Sequence, residues 1–286
     1  MEIRKATVLG FCGGVRRAVQ MIEAELERGP LETLGAVVHN PHVVRDLERR
    51  GARVIRSLGE AHSERIAITA HGVSEEVYRE IEARGLKLID TTCPIVSRAQ
   101  ASARRLAEEG FSIVIFGEAD HPEVKGILGW TKGRSVAILD PRRPLEIGGR
   151  RVALLAQTTK GRELFARFVS GFLEQHIDRL DEVRIVNTTC PETGRRYEAA
   201  KELSRWAELV LVVGGRNSAN TRKLAETCAQ QGAATNHIED AAEIEPSWLQ
   251  GRERVGVAAG ASTPDVAITA VIRRLEELAG REVMAC

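Results

Sequence analysis

The chain has 286 residues, 43% hydrophobic and 28% charged, with a formal net charge of +1. That balance suits one large α/β domain or two to three small ones, and it excludes a disordered chain and a generally basic binder of nucleic acid or membrane. Aromatics at 4% are too few for a base-stacking platform.

The N-terminus, Met1-Glu2-Ile3-Arg4-Lys5, lacks the apolar stretch of a signal peptide. No run approaches the roughly 20 apolar residues of a membrane helix. Five cysteines in that setting fit a reducing cytoplasm, where thiols serve metals or catalysis rather than disulfides.

Taken in chain order, the segment from Ile3 toward Cys12 reads as a strand and Val15–Leu26 as a helix. A strand ending Ala36-Val37-Val38 follows, then helix Pro41–Arg50 and short strand Arg53-Val54-Ile55. Strand Ile66–Ala70, helix Ser74–Arg84 and strand Leu86–Ile89 complete the first pass. The second pass has helix Ile95–Glu108, strand Ile113–Phe116, a short segment Glu123–Trp130 and strand Val136–Leu139. After a Pro-rich loop at Asp140–Gly149 come strand Val152–Ala156, helix Glu163–His176 and strand Val183–Val186. The third pass has helix Arg195–Trp206, strand Leu209–Val213, helix Thr221–Gln231, strand Val255–Ala259 and helix Asp265–Leu278.

The third pass lacks a closing strand, and the N-terminal segment has that shape without a predecessor. The expectation is therefore an α/β fold of three pseudo-threefold-related units with mostly parallel sheets around a central cavity. The units are residues 13–92, residues 93–189, and residues 190–286 with 1–12.

Three cysteines stand at matching points of this repeat. Each sits between a strand-like run and a helix-like run: Thr7-Val8-Leu9-Gly10-Phe11-Cys12-Gly13, Ile89-Asp90-Thr91-Thr92-Cys93-Pro94 and Val186-Asn187-Thr188-Thr189-Cys190-Pro191. Converging thiolates point to a metal centre. Three are one short of closing a four-iron cluster, which leaves one iron open for substrate. Cys228 lies in an amphipathic helix and reads as core, and Cys286 is the final residue without the strand-to-helix setting.

The remaining strand ends carry polar residues. They are His39-Asn40, His121-Pro122-Glu123 and Asn217-Ser218-Ala219-Asn220 after the first inner strands. After the later strands stand His71-Gly72, Gln157-Thr158-Thr159 and Ser262-Thr263. Imidazoles, hydroxyls and amides beside helix N-termini bind anions, so a phosphate or diphosphate is the expected guest. His42, His62, His176 and His237 lack that placement. Glu123 is the only carboxylate in the set. Beside an electron-rich cluster and an anion its pKa rises and it serves as an acid, or it merely caps the helix after Pro122. No Walker loop is present, and Gly10–Gly14 does not fit the spacing of a dinucleotide fingerprint.

Together the motifs Gly10-Phe11-Cys12-Gly13-Gly14-Val15, Val38-His39-Asn40, Ala70-His71-Gly72-Val73, Thr92-Cys93-Pro94, His121-Pro122-Glu123-Val124, Gln157-Thr158-Thr159, Val213-Gly214-Gly215-Arg216-Asn217-Ser218 and Ala259-Gly260-Ala261-Ser262 resemble the 4-hydroxy-3-methylbut-2-enyl diphosphate reductase family over nearly the whole chain. The resemblance implies a 4Fe–4S cluster on Cys12, Cys93 and Cys190, with one open iron. It implies diphosphate binding by His39, His71, His121, Ser218, Asn220 and Ser262, proton donation by Glu123, and hydrogen bonding by Thr158 and Thr193. It implies reductive dehydroxylation of the allylic diphosphate to isopentenyl and dimethylallyl diphosphate, with electrons from ferredoxin or flavodoxin.

Family members often carry Ser-Ser-Asn where this chain has Ser218-Ala219-Asn220, which leaves a backbone N–H in place of one hydroxyl. Two other readings make different demands on the strand ends and the surface. A quinolinate-synthase-like enzyme calls for Arg or Tyr at the strand ends, and an iron or redox sensor calls for a basic face or a DNA-binding element. The His, Ser and Asn of this set favour neither.

Overall fold

A computed structural model describes residues 1–143 and 148–284. Part of the expected Asp140–Gly149 loop, residues 144–147, and Cys286 lie outside the described residues.

The chain divides into two compact units. The first comprises Met1–Arg16, Val38–Leu47 and the described residues from Gly194 onward; the second comprises Arg17–Val37 and Glu48–Thr193. Three helices run from one unit into the other, α1 (Gly13–Leu26), α2 (Pro41–Arg49) and α7 (Pro191–Trp206).

The first unit holds one four-stranded sheet, β1 (Glu2–Lys5), β10 (Leu209–Val213), β11 (Ala234–Ile238) and β12 (Arg254–Ala259), in the order β1-β12-β10-β11. The second unit holds two sheets. One is β2 (Leu31–Leu34), β3 (Ala52–Ile55), β4 (Arg65–Ile68) and β5 (Lys87–Asp90), ordered β3-β2-β4-β5. The other is β6 (Ser112–Phe116), β7 (Ser135–Ile138), β8 (Arg151–Ala156) and β9 (Glu182–Ile185), ordered β7-β6-β8-β9. Every pairing is parallel. The three orders are one plan used three times, with β1, β5 and β9 in the same edge position.

Residue type sets that order. The inner strands β6 (SIVIF) and β10 (LVLVV) are buried at every residue, as continuous apolar runs covered on both faces must be. The edge strands carry Glu2, Arg4 and Lys5, Lys87 and Asp90, or Glu182 and Arg184, and such charges keep an edge from pairing with another chain. Helices α3 (Glu75–Ala83), α4 (Pro94–Glu108), α5 (Pro122–Leu128), α6 (Arg162–His176), α7 (Pro191–Trp206), α8 (Ala219–Ala229) and α9 (Asp265–Met284) supply the crossovers. Pro94 and Pro122 occupy first-turn positions, where a missing N–H costs nothing.

Three strand expectations need correction. The strand expected to end at Ala36-Val37-Val38 is β2, which ends at Leu34. Gly35 takes φ +87 there, a left-handed conformation that leaves the strand path. β11, with only moderately apolar residues (ATNHI), went unpredicted and pairs with β10 along its full length. In addition, Thr7-Val8-Leu9 is not a strand, since β1 ends at Lys5. β1 pairs in parallel with β12, Ile3 opposite Val255.

Candidate active site

The backbone N–H of each cysteine is held in the same way. Cys12 donates to Ala261 O (3.1 Å), Cys93 to Ala70 O (3.0 Å) and Cys190 to Thr158 O (2.7 Å). Each acceptor lies two residues beyond the end of its inner strand: Ala259 to Ala261, Ile68 to Ala70, Ala156 to Thr158. Each cysteine directly precedes a helix, α1, α4 or α7. None of the three is in a disulfide, and all are partly exposed. The Cys12 Sγ also accepts the Val15 N–H at 3.5 Å. Cys228 is fully buried in an apolar cluster with Leu224 and Leu203, and burial pushes its thiol pKa up. Its setting is that of a core side chain.

Glu123 is 2% exposed in the first turn of α5. It does not cap that helix. His121 does so, its Nδ1 accepting the Glu123 N–H at 3.2 Å. The Glu123 carboxyl turns instead to Thr158, accepting the backbone N–H at Oε1 (2.5 Å) and the hydroxyl at Oε2 (2.9 Å). Burial raises its pKa to about 7, against the opposing pull of the two Thr158 bonds and the more distant Lys160 charge. A carboxyl so placed exchanges a proton near neutral pH.

In the second unit the rings of His71 and His121 meet edge to face, with centroids 5.5 Å apart. His71 Nδ1 lies 3.2 Å from Thr69 Oγ1. With Nδ1 of His121 accepting, neutral His121 carries its proton on Nε2. Thr193 is buried in the first turn of α7.

In the first unit, burial lowers the pKa of His39. The His39 carbonyl accepts the Ser262 hydroxyl at 3.3 Å. Ser218 caps α8, accepting the Thr221 N–H at 3.3 Å, and Ala219 is the first residue of that helix. Asn220 Oδ1 accepts the Tyr197 hydroxyl at 3.2 Å, which turns its amide donors the other way. His39, His121 and Ser218 stand at one register position, each five residues past its strand end (Leu34, Phe116, Val213). Strand-end polar groups beside helix N-termini are suited to an anion.

The sequence profile of the LytB protein family matches residues 3–276. The chain belongs to the LytB family. Among curated LytB-type relatives, a 4-hydroxy-3-methylbut-2-enyl diphosphate reductase of Dehalococcoides mccartyi is 42% identical over 281 residues, covering 97% of this chain and 99% of the relative. One from Pelobacter propionicus is 43% identical with the same coverage. A solved structure of (E)-4-hydroxy-3-methyl-but-2-enyl diphosphate reductase, described as the terminal enzyme of the non-mevalonate pathway, is 37% identical. It covers 97% of this chain and 100% of its own, with a TM-score of 0.73. A reductase from Plasmodium falciparum at 22% identity has a TM-score of 0.87 over 95% of this chain and 86% of its own, a likeness of fold alone.

Sequence reading missed two residues of this LytB chain that touch the site. Tyr197 orients Asn220, and Arg196 is a buried guanidinium beside the Cys12 segment. Both lie in the helix after Cys190, where polar residues at helical spacing pass for surface.

Proposed function

We propose that this chain reduces 4-hydroxy-3-methylbut-2-enyl diphosphate to isopentenyl and dimethylallyl diphosphate, using a 4Fe–4S cluster held by Cys12, Cys93 and Cys190. The observation that carries the reading is the common hydrogen bond from each cysteine N–H to the carbonyl two residues past an inner strand. The donor chemistry fits the group. Each thiol immediately precedes a helix, in one strand-to-helix setting used three times, and thiolate sulfur is the usual ligand of such a cluster. When bound, such a cluster supplies electrons one at a time and an open iron that acts as a Lewis acid.

The protein's own side chains do the rest. His39, His71, His121, Ser218, Asn220 and Ser262 bind the diphosphate, and Ala219 offers a backbone N–H. Glu123 holds a proton at its carboxyl and releases it toward the departing hydroxyl. Thr158 keeps that carboxyl in place by two bonds, and Thr193 adds a buried hydroxyl beside Cys190. Loss of the allylic hydroxyl needs two electrons and two protons and yields water. Reduced ferredoxin or flavodoxin is the proposed electron source, and a reducing cytoplasm is the proposed setting. No helix among the described residues is long and apolar enough to cross a membrane.

The same reading takes residues 13–92, residues 93–189, and residues 190–286 with 1–12 as three repeats, each giving one cysteine and its strand ends; the shared strand order supports it. The test is anaerobic purification with iron and sulfide counts, then turnover of the allylic diphosphate with a chemical reductant. About four irons per chain and reductant-dependent formation of both products are expected. Full turnover by iron-free protein would refute the reading.

A further inference from the structure

The Cys12 motif departs from the other two at a position that carries a shared hydrogen bond in both of them. Two residues before Cys93 and Cys190 stand Thr91 and Thr188, but before Cys12 stands Gly10. Both threonines do the same work. Thr91 Oγ1 donates to Ile68 O and Thr188 Oγ1 to Ala156 O, each at 2.5 Å. Each acceptor is the last residue of an inner strand, β4 or β8. Each hydroxyl therefore latches a cysteine segment to its neighbouring strand.

Gly10 has no side chain to form such a latch and cannot gain one cheaply. Its φ is +73, and a Cβ there would stand 2.9 Å from Asp265 Oδ1 and 3.1 Å from Ile268 Cδ1. The corresponding carbonyl, Ala259 O at the end of β12, is nevertheless occupied. Arg196 Nη1 donates to it at 2.8 Å, and Arg196 Nη2 donates to Gly10 O at 2.9 Å. Arg196 is 2% exposed. One guanidinium thus spans both sides of the gap that a threonine hydroxyl closes in the other two sheets.

We infer that Arg196 is the latch of the Cys12 segment, a positioning residue that replaces the missing threonine and adds a permanent positive charge to that arm of the cluster site. The inference rests on Cys12 being a cluster ligand. Its physical content is twofold. A fork with two parallel donors fixes the carbonyls of Gly10 and Ala259 together, which an ammonium does less well. A buried cation near a cluster stabilises its more negative, reduced state and so raises its reduction potential.

The test compares Arg196→Gln, Arg196→Lys, Thr188→Val and Cys12→Ser, each as anaerobically purified cluster-bearing protein. The readouts are iron release to a chelator and the midpoint potential of the cluster. Arg196→Gln should release iron about tenfold faster and shift the potential to a more negative value. Arg196→Lys should also release iron faster but keep the wild-type potential, because the charge remains. Thr188→Val should speed release without moving the potential, because its latch is neutral.

Wild-type release and potential in Arg196→Gln would overturn the inference. If that variant does not fold, release from Arg196→Lys at the wild-type rate would overturn it instead. Cys12→Ser should lose the cluster; full retention would refute the ligand reading itself, and the latch with it.

Discussion

Glu123 should hold its proton to near neutral pH, and this can be measured on the carboxyl itself. In the folded protein its pKa is about 7, against 4.5 for the ordinary side chain. At pH 6 about 90% of the Glu123 side chains then carry the proton, compared with ~3% for a solvated glutamate. The interval corresponds to ~3 kcal/mol at 1.36 kcal/mol per pH unit.

The sign follows from linkage. The folded value lies above the unfolded one, so between pH 4.5 and 7 the folded chain binds more protons than the unfolded one. The stability contributed by this carboxyl is fully present below about pH 4.5 and is lost as pH rises through 7. The assay is the infrared carbonyl stretch of the protonated carboxyl, taken as wild type minus Glu123→Gln and titrated from acid to alkaline pH. A midpoint close to 7 is expected. Thr158→Val, which removes the 2.9 Å hydroxyl bond to the ionised form, should move it up by about 0.5–1 pH unit. A midpoint near 4.5, or no difference band above pH 6, would show that burial does not govern this group.

The catalytic role separates from the titration. Glu123→Gln should keep iron content and substrate affinity while turnover drops by about 10²–10⁴-fold, and wild-type steady-state rates would sink the proton-donor assignment. Burial lowers the His39 pKa from its ordinary 6.5, so the free imidazole is mainly neutral at pH 7. If His39 grips a diphosphate as imidazolium, binding takes up a proton and affinity falls as pH rises. Calorimetry of pyrophosphate binding in buffers of different ionisation enthalpy should report that uptake, and buffer-independent heats would rule it out. Cys228→Ser should leave the iron count unchanged, whereas Ser at Cys12, Cys93 or Cys190 should lower it; iron analysis of anaerobic protein decides.

Periodicity made most of the elements legible. The runs at Ile113–Phe116 and Leu209–Val213 are strands because four or five consecutive buried apolar residues have few other stable arrangements in a covered sheet. β11 was not legible, because Thr235, Asn236 and His237 are polar and its strand character comes from pairing with β10. The end of β2 was misplaced because Ala36-Val37-Val38 is as apolar as a strand, and only the backbone turn at Gly35 takes it out of the ladder. The two readings of Glu123 were indistinguishable locally. A first-turn glutamate looks the same whether its carboxyl faces its own helix or a partner 35 residues away.

The order of motifs, the three cysteine settings and the polar strand ends are written in the chain itself, since local residue type fixes strand, turn and helix start. What only the tertiary structure decided are the partners. Thr158 holds the Glu123 carboxyl, His121 rather than Glu123 caps α5, and Arg196 stands where Gly10 has no side chain to offer. The Thr158 and Arg196 contacts join residues far apart in sequence, and with the Glu123 carboxyl drawn to Thr158 the cap of α5 falls to His121; hydrogen-bond satisfaction in a buried site selects these partners only once the sheets are formed.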